Sequence, residues 1–132
     1  MTTISAGLKA YLEAQVTAIG NGYPVEVPHD ASYPAWSYQV IDDDQMLSHS
    51  GGTGYSKCRI QIDIVAKETA PLSGYGVAQG LAAAVRAKLD GYKGLMGSVQ
   101  VEYCKSTLSD DWADIHNLPV ASIDVIIHYR IQ

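Results

Sequence analysis

The run Lys57-Cys58-Arg59-Ile60-Gln61-Ile62-Asp63-Ile64-Val65-Ala66 decides the architecture of this chain. Cys58, Ile60, Ile62, Ile64 and Ala66 recur at every second position, with Arg59, Gln61 and Asp63 between them. A period of two is that of a strand with one face in a core and the other in water. Upstream, Trp36, Tyr38 and Val40 alternate with Ser37 and Gln39 across Ala35 to Ile41. Downstream, Val99, Val101 and Tyr103 alternate with Gln100 and Glu102. Ala121, Ile123, Val125, Ile127, Tyr129 and Ile131 then line one face of a long last strand. Its other face carries Ser122, Asp124, His128 and Arg130, broken only by Ile126. Strands with one wet face belong to a sheet covered on a single side.

Two amphipathic helices supply the cover. Ile4, Leu8, Tyr11, Leu12, Val16 and Ile19 recur at steps of three and four, and Gly20-Asn21-Gly22 stops that helix. The second spans Gly74 to Leu89, with Val77, Leu81, Val85 and Leu89 as its stripe and Ala78, Ala82, Ala83 and Ala84 thinning its surface. Asp90-Gly91 ends it, and Gly91, Gly94 and Gly97 read as a flexible connection. Prolines 24, 28 and 34 make the stretch after the first helix extended and partly irregular, with room for a short edge strand. The expectation is an α+β two-layer sandwich: a largely antiparallel four-stranded sheet with two helices packed on one face, forming one domain over residues 1–132.

Composition narrows the function classes. The 132 residues are 47% hydrophobic and 17% charged, which suits a globular chain that buries a core. There is no Phe, and nine Tyr and two Trp carry the aromatic load, residues that suit interfaces. A net charge of -5 argues against gripping phosphates or an anionic membrane. No apolar run reaches membrane-spanning length, and no signal-peptide pattern opens the chain, so the cytoplasm is the expected compartment. There Cys58 and Cys104 read as free thiols; a disulfide would require their strands to be neighbours.

Two long polar segments interrupt the strands. Asp42 to Tyr55 opens on Asp42-Asp43-Asp44 and closes on Gly51-Gly52-Thr53-Gly54. Ordinary connections run to about 4–6 residues, so this insert is either a lid over a site or an arm that orders against a partner. Lys105 to Pro119, with Trp112 inside it, is the second. Asp42, Asp43, Asp44 and His49 offer oxygen and nitrogen ligands but match no calcium-loop spacing, and read as a solvated acidic turn. Asp110, Asp111, Asp114 and His116 are the right types for a metal or an acid–base pair, yet also read as a hydrated turn or helix cap. His128 reads as a surface residue, and no nucleophile–base–orienter set assembles. Gly74-Tyr75-Gly76 lacks the further residues of a phosphate loop. The reading is of a non-enzyme with no cofactor and no metal. Its expected contact residues are Asp42, Asp43, Asp44, Met46, Leu47, His49, Tyr55 and Trp112, with the Gly-rich arm as the main contact element.

The pattern as a whole resembles the tail completion, or tail terminator, proteins of long-tailed bacteriophages. The resemblance is carried by the leading helix, by Tyr33-Pro34-Ala35-Trp36-Ser37-Tyr38, and most strongly by the strand, turn and helix from Arg59 to Gly91. It implies a hexameric ring of this chain that caps the tail tube, ends tube polymerisation and presents a surface to the head-side connector. Genome DNA would pass through the opening without specific binding, helped by acidic charge. Assembly in the host cytoplasm and residence in the virion tail or neck follow from the same likeness. A head-completion or stopper protein, or a tail-tube relative, is the neighbouring alternative. A small metal-dependent enzyme using Asp110, Asp111, Asp114 and His116 is the alternative of a different class.

Overall fold

A computed structural model describes residues 3–25, 27–28, 34–48, 51–66, 74–97, 99–113 and 119–130. Thr3 caps the first helix, its hydroxyl accepting from the Ala6 amide at 3.2 Å. Helix α1 spans Ile4–Gln15 and buries Ile4, Leu8 and Leu12. It ends earlier than its apolar stripe suggests. Val16 leaves helical geometry, and a 3₁₀ turn over Thr17–Ile19 carries Ile19 into the core, so the stripe runs on after the α-helix stops.

The chain then adds β1 (Asn21–Pro24), β2 (Ala35–Ser48), β3 (Gly51–Val65), helix α2 (Gly74–Leu89), β4 (Gly94–Met96), β5 (Val99–Ala113) and β6 (Pro119–Arg130). The sheet order is β1-β2-β3-β6-β5-β4. β1 runs parallel to β2 and every other pair is antiparallel. The expected four-stranded, largely antiparallel sheet is therefore corrected to a six-stranded mixed sheet that curls into a half-barrel with the two helices. The two additions are strands of four and three residues at the borders. β1 holds a Pro, and β4 opens on Gly94 and is followed by Gly97, which hid both from a reading based on alternation.

A second correction concerns the polar inserts. Asp42 to Ser48 and Gly51 to Tyr55 are not a loop but the far halves of two long strands, paired from Asp42↔Arg59 to Ser48↔Gly51. Lys105 to Ala113 likewise continues β5 along β6, pairing Ala113 with Pro119. Ser109, Asp110 and Asp111 thus lie on a strand and not in a helical turn. Ladder hydrogen bonds outweigh the low strand propensity of Asp and Gly here.

The core lies between one sheet face and the helices. Ile60, Ile62 and Ile64 from β3 meet Ile123, Val125 and Ile127 from β6, all fully buried. α2 buries Ala78, Ala82, Val85 and Leu89, with Val77 and Leu81 half-buried at its margin. Small alanines thus face the sheet, letting the helix sit close. The helices are tied together by Tyr11, whose hydroxyl donates to the Lys88 carbonyl at 2.9 Å and whose ring lies 4.5 Å from that of Tyr92. At the end of α2 the Asp90 carboxylate accepts from the Ser106 amide at 2.6 Å and from its hydroxyl at 2.8 Å. Gly91, with φ +76°, donates to the Cys104 carbonyl at 2.8 Å, so the helix end is fastened to β5.

Cys58 and Cys104 both pair with Ile127, one from each side. They are two strand spacings apart, roughly 9–10 Å, beyond the reach of a disulfide. Both are free thiols, and burial pushes each up to about 12, with Asp43 and Asp42 adding to the effect at Cys58 and Asp90 at Cys104. Neither is a ready nucleophile.

Candidate interaction surface

The uncovered sheet face is built row by row from the register. One row runs Asp42, Arg59, Ile126, Lys105; the next runs Asp44, Lys57, His128, Tyr103. On the other side lie Gln39, Gln61, Asp124 and Thr107, followed by Ser37, Asp63 and Ser122. The first two rows set an Asp on β2 beside a base on β3, while the rows holding Asp124 and Asp63 contain no Lys or Arg, so the face carries both signs.

Asp42, Lys57, Arg59, Thr107, Asp124 and Ile126 line an open depression of about 440 Å³ in this face. Arg59 donates to Asp124 at 3.0 Å across the β3–β6 boundary. More than half of the Arg59 side chain is exposed, so water screens this pair. Asp63 is better enclosed: Gln61 donates to it at 3.1 Å, and so does the buried Ser122 hydroxyl. Tyr103 meets His128 edge to face at 5.7 Å. The Arg130 guanidinium lies 4.5 Å above the Tyr55 ring and also donates to its hydroxyl.

Asp43 faces the other way, towards the helices. The Tyr129 hydroxyl donates to its carboxylate at 2.9 and 3.0 Å, which anchors the outer part of β2 to β6. Burial, and after it the Asp43 carboxylate, pushes the Tyr129 phenol up to about 12. Val40 and Asp43, three positions apart, both lie on the helix face because a register shift at Val40/Asp42 puts one extra residue, Ile41, into β2.

The expected contact residues fall into separate groups. Asp42, Asp43 and Asp44 are exposed on β2, and Tyr55 is half-buried on β3. The backbones of Met46 and Leu47 continue β2, but their side chains lie outside the described residues, as does all of His49. Trp112 has a described backbone opposite Val120, in the row that leads through Val65 to Ala35. It therefore sits at the end of the sheet away from the β2–β3 tip and does not join the others. Of the alternative metal set, Asp110 and Asp111 have strand backbones, while Asp114 and His116 lie outside the described residues. Among the described residues no group of three or more His, Cys, Asp or Glu converges on a metal position. No described helix is long and apolar enough to cross a membrane. Lys57, Arg59, Lys105, Thr107 and Asp124 were visible in sequence only as wet positions, since their grouping needs the register.

No family model matches the chain, and no curated protein matches it by sequence. The fold is similar to that of a chain from the virion of the native gene transfer agent (GTA) particle. That likeness covers 92% of this chain and 86% of the other, with a TM-score of 0.55 and 15% identity. At that identity the shared property is the fold.

Proposed function

We propose that this chain is a structural protein of a phage-like virion, and within that class a tail terminator. The observation that carries the reading is the fold likeness to a chain of the gene transfer agent virion over 92% of this sequence. It agrees in kind with the resemblance borne by Arg59 to Gly91. In this reading copies of the chain close into a ring, six by that resemblance, seated on the last ring of the tail tube. One surface repeats the tube-to-tube contact and the opposite one meets the head-side connector, so growth stops. The chain works by shape and not by turnover, in the host cytoplasm during assembly and then in the virion. The long β2–β3 hairpin, with Asp42, Asp43, Asp44, Met46, Leu47, His49 and Tyr55, is the contact arm, and Trp112 serves a second contact at the other end of the sheet. A mixed-charge face and a net charge of -5 give DNA nothing to adhere to as it passes.

The test is an end-binding assay. Purified chain added to polymerising tail tubes should decorate one tube end in electron micrographs and stop elongation. Binding along tube walls, or to the connector alone with tube growth unaffected, overturns the terminator reading. Stoichiometric retained metal with substrate turnover overturns the structural one.

A further inference from the structure

The two borders of the sheet are closed to different degrees. On the β5 side the outward backbone is already engaged: the Cys104 carbonyl accepts from Gly91 at 2.8 Å, and the Ser106 amide donates to Asp90 at 2.6 Å. On β4 the Leu95 carbonyl accepts from the Tyr92 hydroxyl at 2.6 Å. β2 is different. β1 covers it over Ala35 to Tyr38, and the Val25 amide adds one more bond, to the Tyr38 carbonyl at 2.8 Å. Val25 stands at φ +68°, a left-handed conformation that strains a β-branched residue and turns the chain off β2. Beyond it no described strand pairs with the outer side of β2 from Gln39 to Ser48. The Tyr38 backbone points outward, so strand alternation points that of Val40 outward too, and past the inserted Ile41 that of Asp43. Val25, Val40 and Ile41 are exposed around this opening. Asp42, Asp43 and Asp44 follow, and the tract from Gln39 to Ser48 holds no base. Lys57 and Arg59 lie alongside on β3, but Arg59 is turned to Asp124, so the edge keeps an acidic excess.

We propose that this free edge of β2 takes one further strand: an extended segment of another virion protein that alternates apolar residues with Lys or Arg. The inference deepens the contact arm of the proposed function and rests on that reading for its biological use. Open edges are templates for strand addition, in which main-chain bonds supply affinity and alternate side chains supply selectivity. The added segment takes over beside Gln39, where β1 leaves. Its side chains on the helix face cover Val40. Those on the open face stand beside Asp42 and Asp44, where a base is attracted and an acid repelled. Asp43, on the helix face, is already held by the Tyr129 hydroxyl and needs no partner from the newcomer. A second copy of this chain is a poor occupant. Its own β2 edge repeats the three acids, and its β5 border is tied to the end of α2 and carries Glu102, Asp110 and Asp111 against Lys105.

A probe peptide tests this on the full-length chain. A short, end-blocked peptide alternating Val and Lys, followed by amide NMR shifts, should bind with perturbations centred on Val40, Ile41 and Asp43. Its Val–Glu counterpart should not bind. Val40→Pro removes one outward amide hydrogen while leaving the β2–β3 ladder and the net charge unchanged, and should weaken binding about tenfold or more. If that variant does not fold, Val40→Thr with Ile41→Thr keeps charge and strand propensity and should also weaken binding. Asp42→Lys with Asp44→Lys should turn the preference towards the Glu peptide. Perturbations centred on β5 or on the open depression, equal binding of the two peptides, or no binding at about 1 mM would each overturn the strand addition. Self-association that Val40→Pro abolishes would overturn it too, by giving the edge to a second copy. A chain that takes the peptide at this edge but never binds tube ends keeps the docking strand and sinks the terminator reading; capping by a chain whose edge takes no peptide does the reverse.

Discussion

Gly7→Ala and Gly80→Ala place the same methyl group in two helices, and the structure gives them opposite signs. A Cβ on Gly7 would lie 2.4 Å from the Met96 carbonyl oxygen and 2.9 Å from its carbon. Ordinary carbon contacts sit at about 3.5–4.0 Å, and the obstacle is β4 backbone, which cannot swing aside like a side-chain tip. Helix α1 must therefore back away by about 1 Å, an overpacking cost of about 2–3 kcal/mol, the upper part of the usual range because backbone has to move. Replacing Gly by Ala in a helix returns up to about 1 kcal/mol, leaving Gly7→Ala less stable by about 1–2 kcal/mol. A Cβ on Gly80 meets nothing within 4 Å, so Gly80→Ala should gain about 0.5–1 kcal/mol. Urea unfolding followed by far-ultraviolet circular dichroism measures both, the two midpoints separating on either side of wild type at an unchanged m-value. At about 4 °C per kcal/mol the melting temperatures should differ by roughly 6–12 °C. A Gly7→Ala protein as stable as wild type would refute the close approach of α1 to β4.

Three other perturbations probe the fastenings. Asp90→Ala strips Ser106 of both its hydrogen bonds to that carboxylate and should cost about 2 kcal/mol in urea unfolding. Ser106→Ala keeps the amide bond and should cost less, so the reverse order would contradict the geometry. In alkali, Tyr129, Cys58 and Cys104 hold their protons in the fold up to about 12, above their ordinary values of 10.0, 9.0 and 9.0. Their raised values contribute stability that is fully present below pH 9 and is lost as pH climbs from 9 to 12, at up to about 1.4 kcal/mol per pH unit for each group. A pH series of urea midpoints checks this, a flat profile being the contrary result. Arg59→Ala should alter stability by less than about 1 kcal/mol, because its partner Asp124 is met at a wet surface.

Sequence pattern carried β3, β6 and α2 because each has an unbroken period: alternation from Cys58 to Ile64 and from Ala121 to Tyr129, and helical spacing closed by Asp90-Gly91. It failed where the period is too short or shifts phase. Asn21–Pro24 and Gly94–Met96 offer too few residues for alternation to show. The tract from Asp42 to Tyr55 is rich in Asp and Gly, poor strand formers, and its pairing is held by backbone bonds that side-chain identity does not reveal. The candidate interaction face was out of reach for a different reason. Arg59 and Asp124 lie 65 positions apart, and only the register brings them together.

Two of the register shifts stand just past the ends of the short outer strands. β1 accompanies β2 as far as Tyr38, and the shift follows at Val40/Asp42; β4 accompanies β5 as far as Val101, and the shift follows at Val101/Tyr103. Each inserts one unpaired position, Ile41 or Glu102, and an extra residue bends its strand and tightens the local twist. The arc of the sheet can therefore be retuned by gaining or losing one amino acid at either place, with the isoleucine layer left intact. Proteins sharing this interior would then differ in how far the sheet wraps around its two helices.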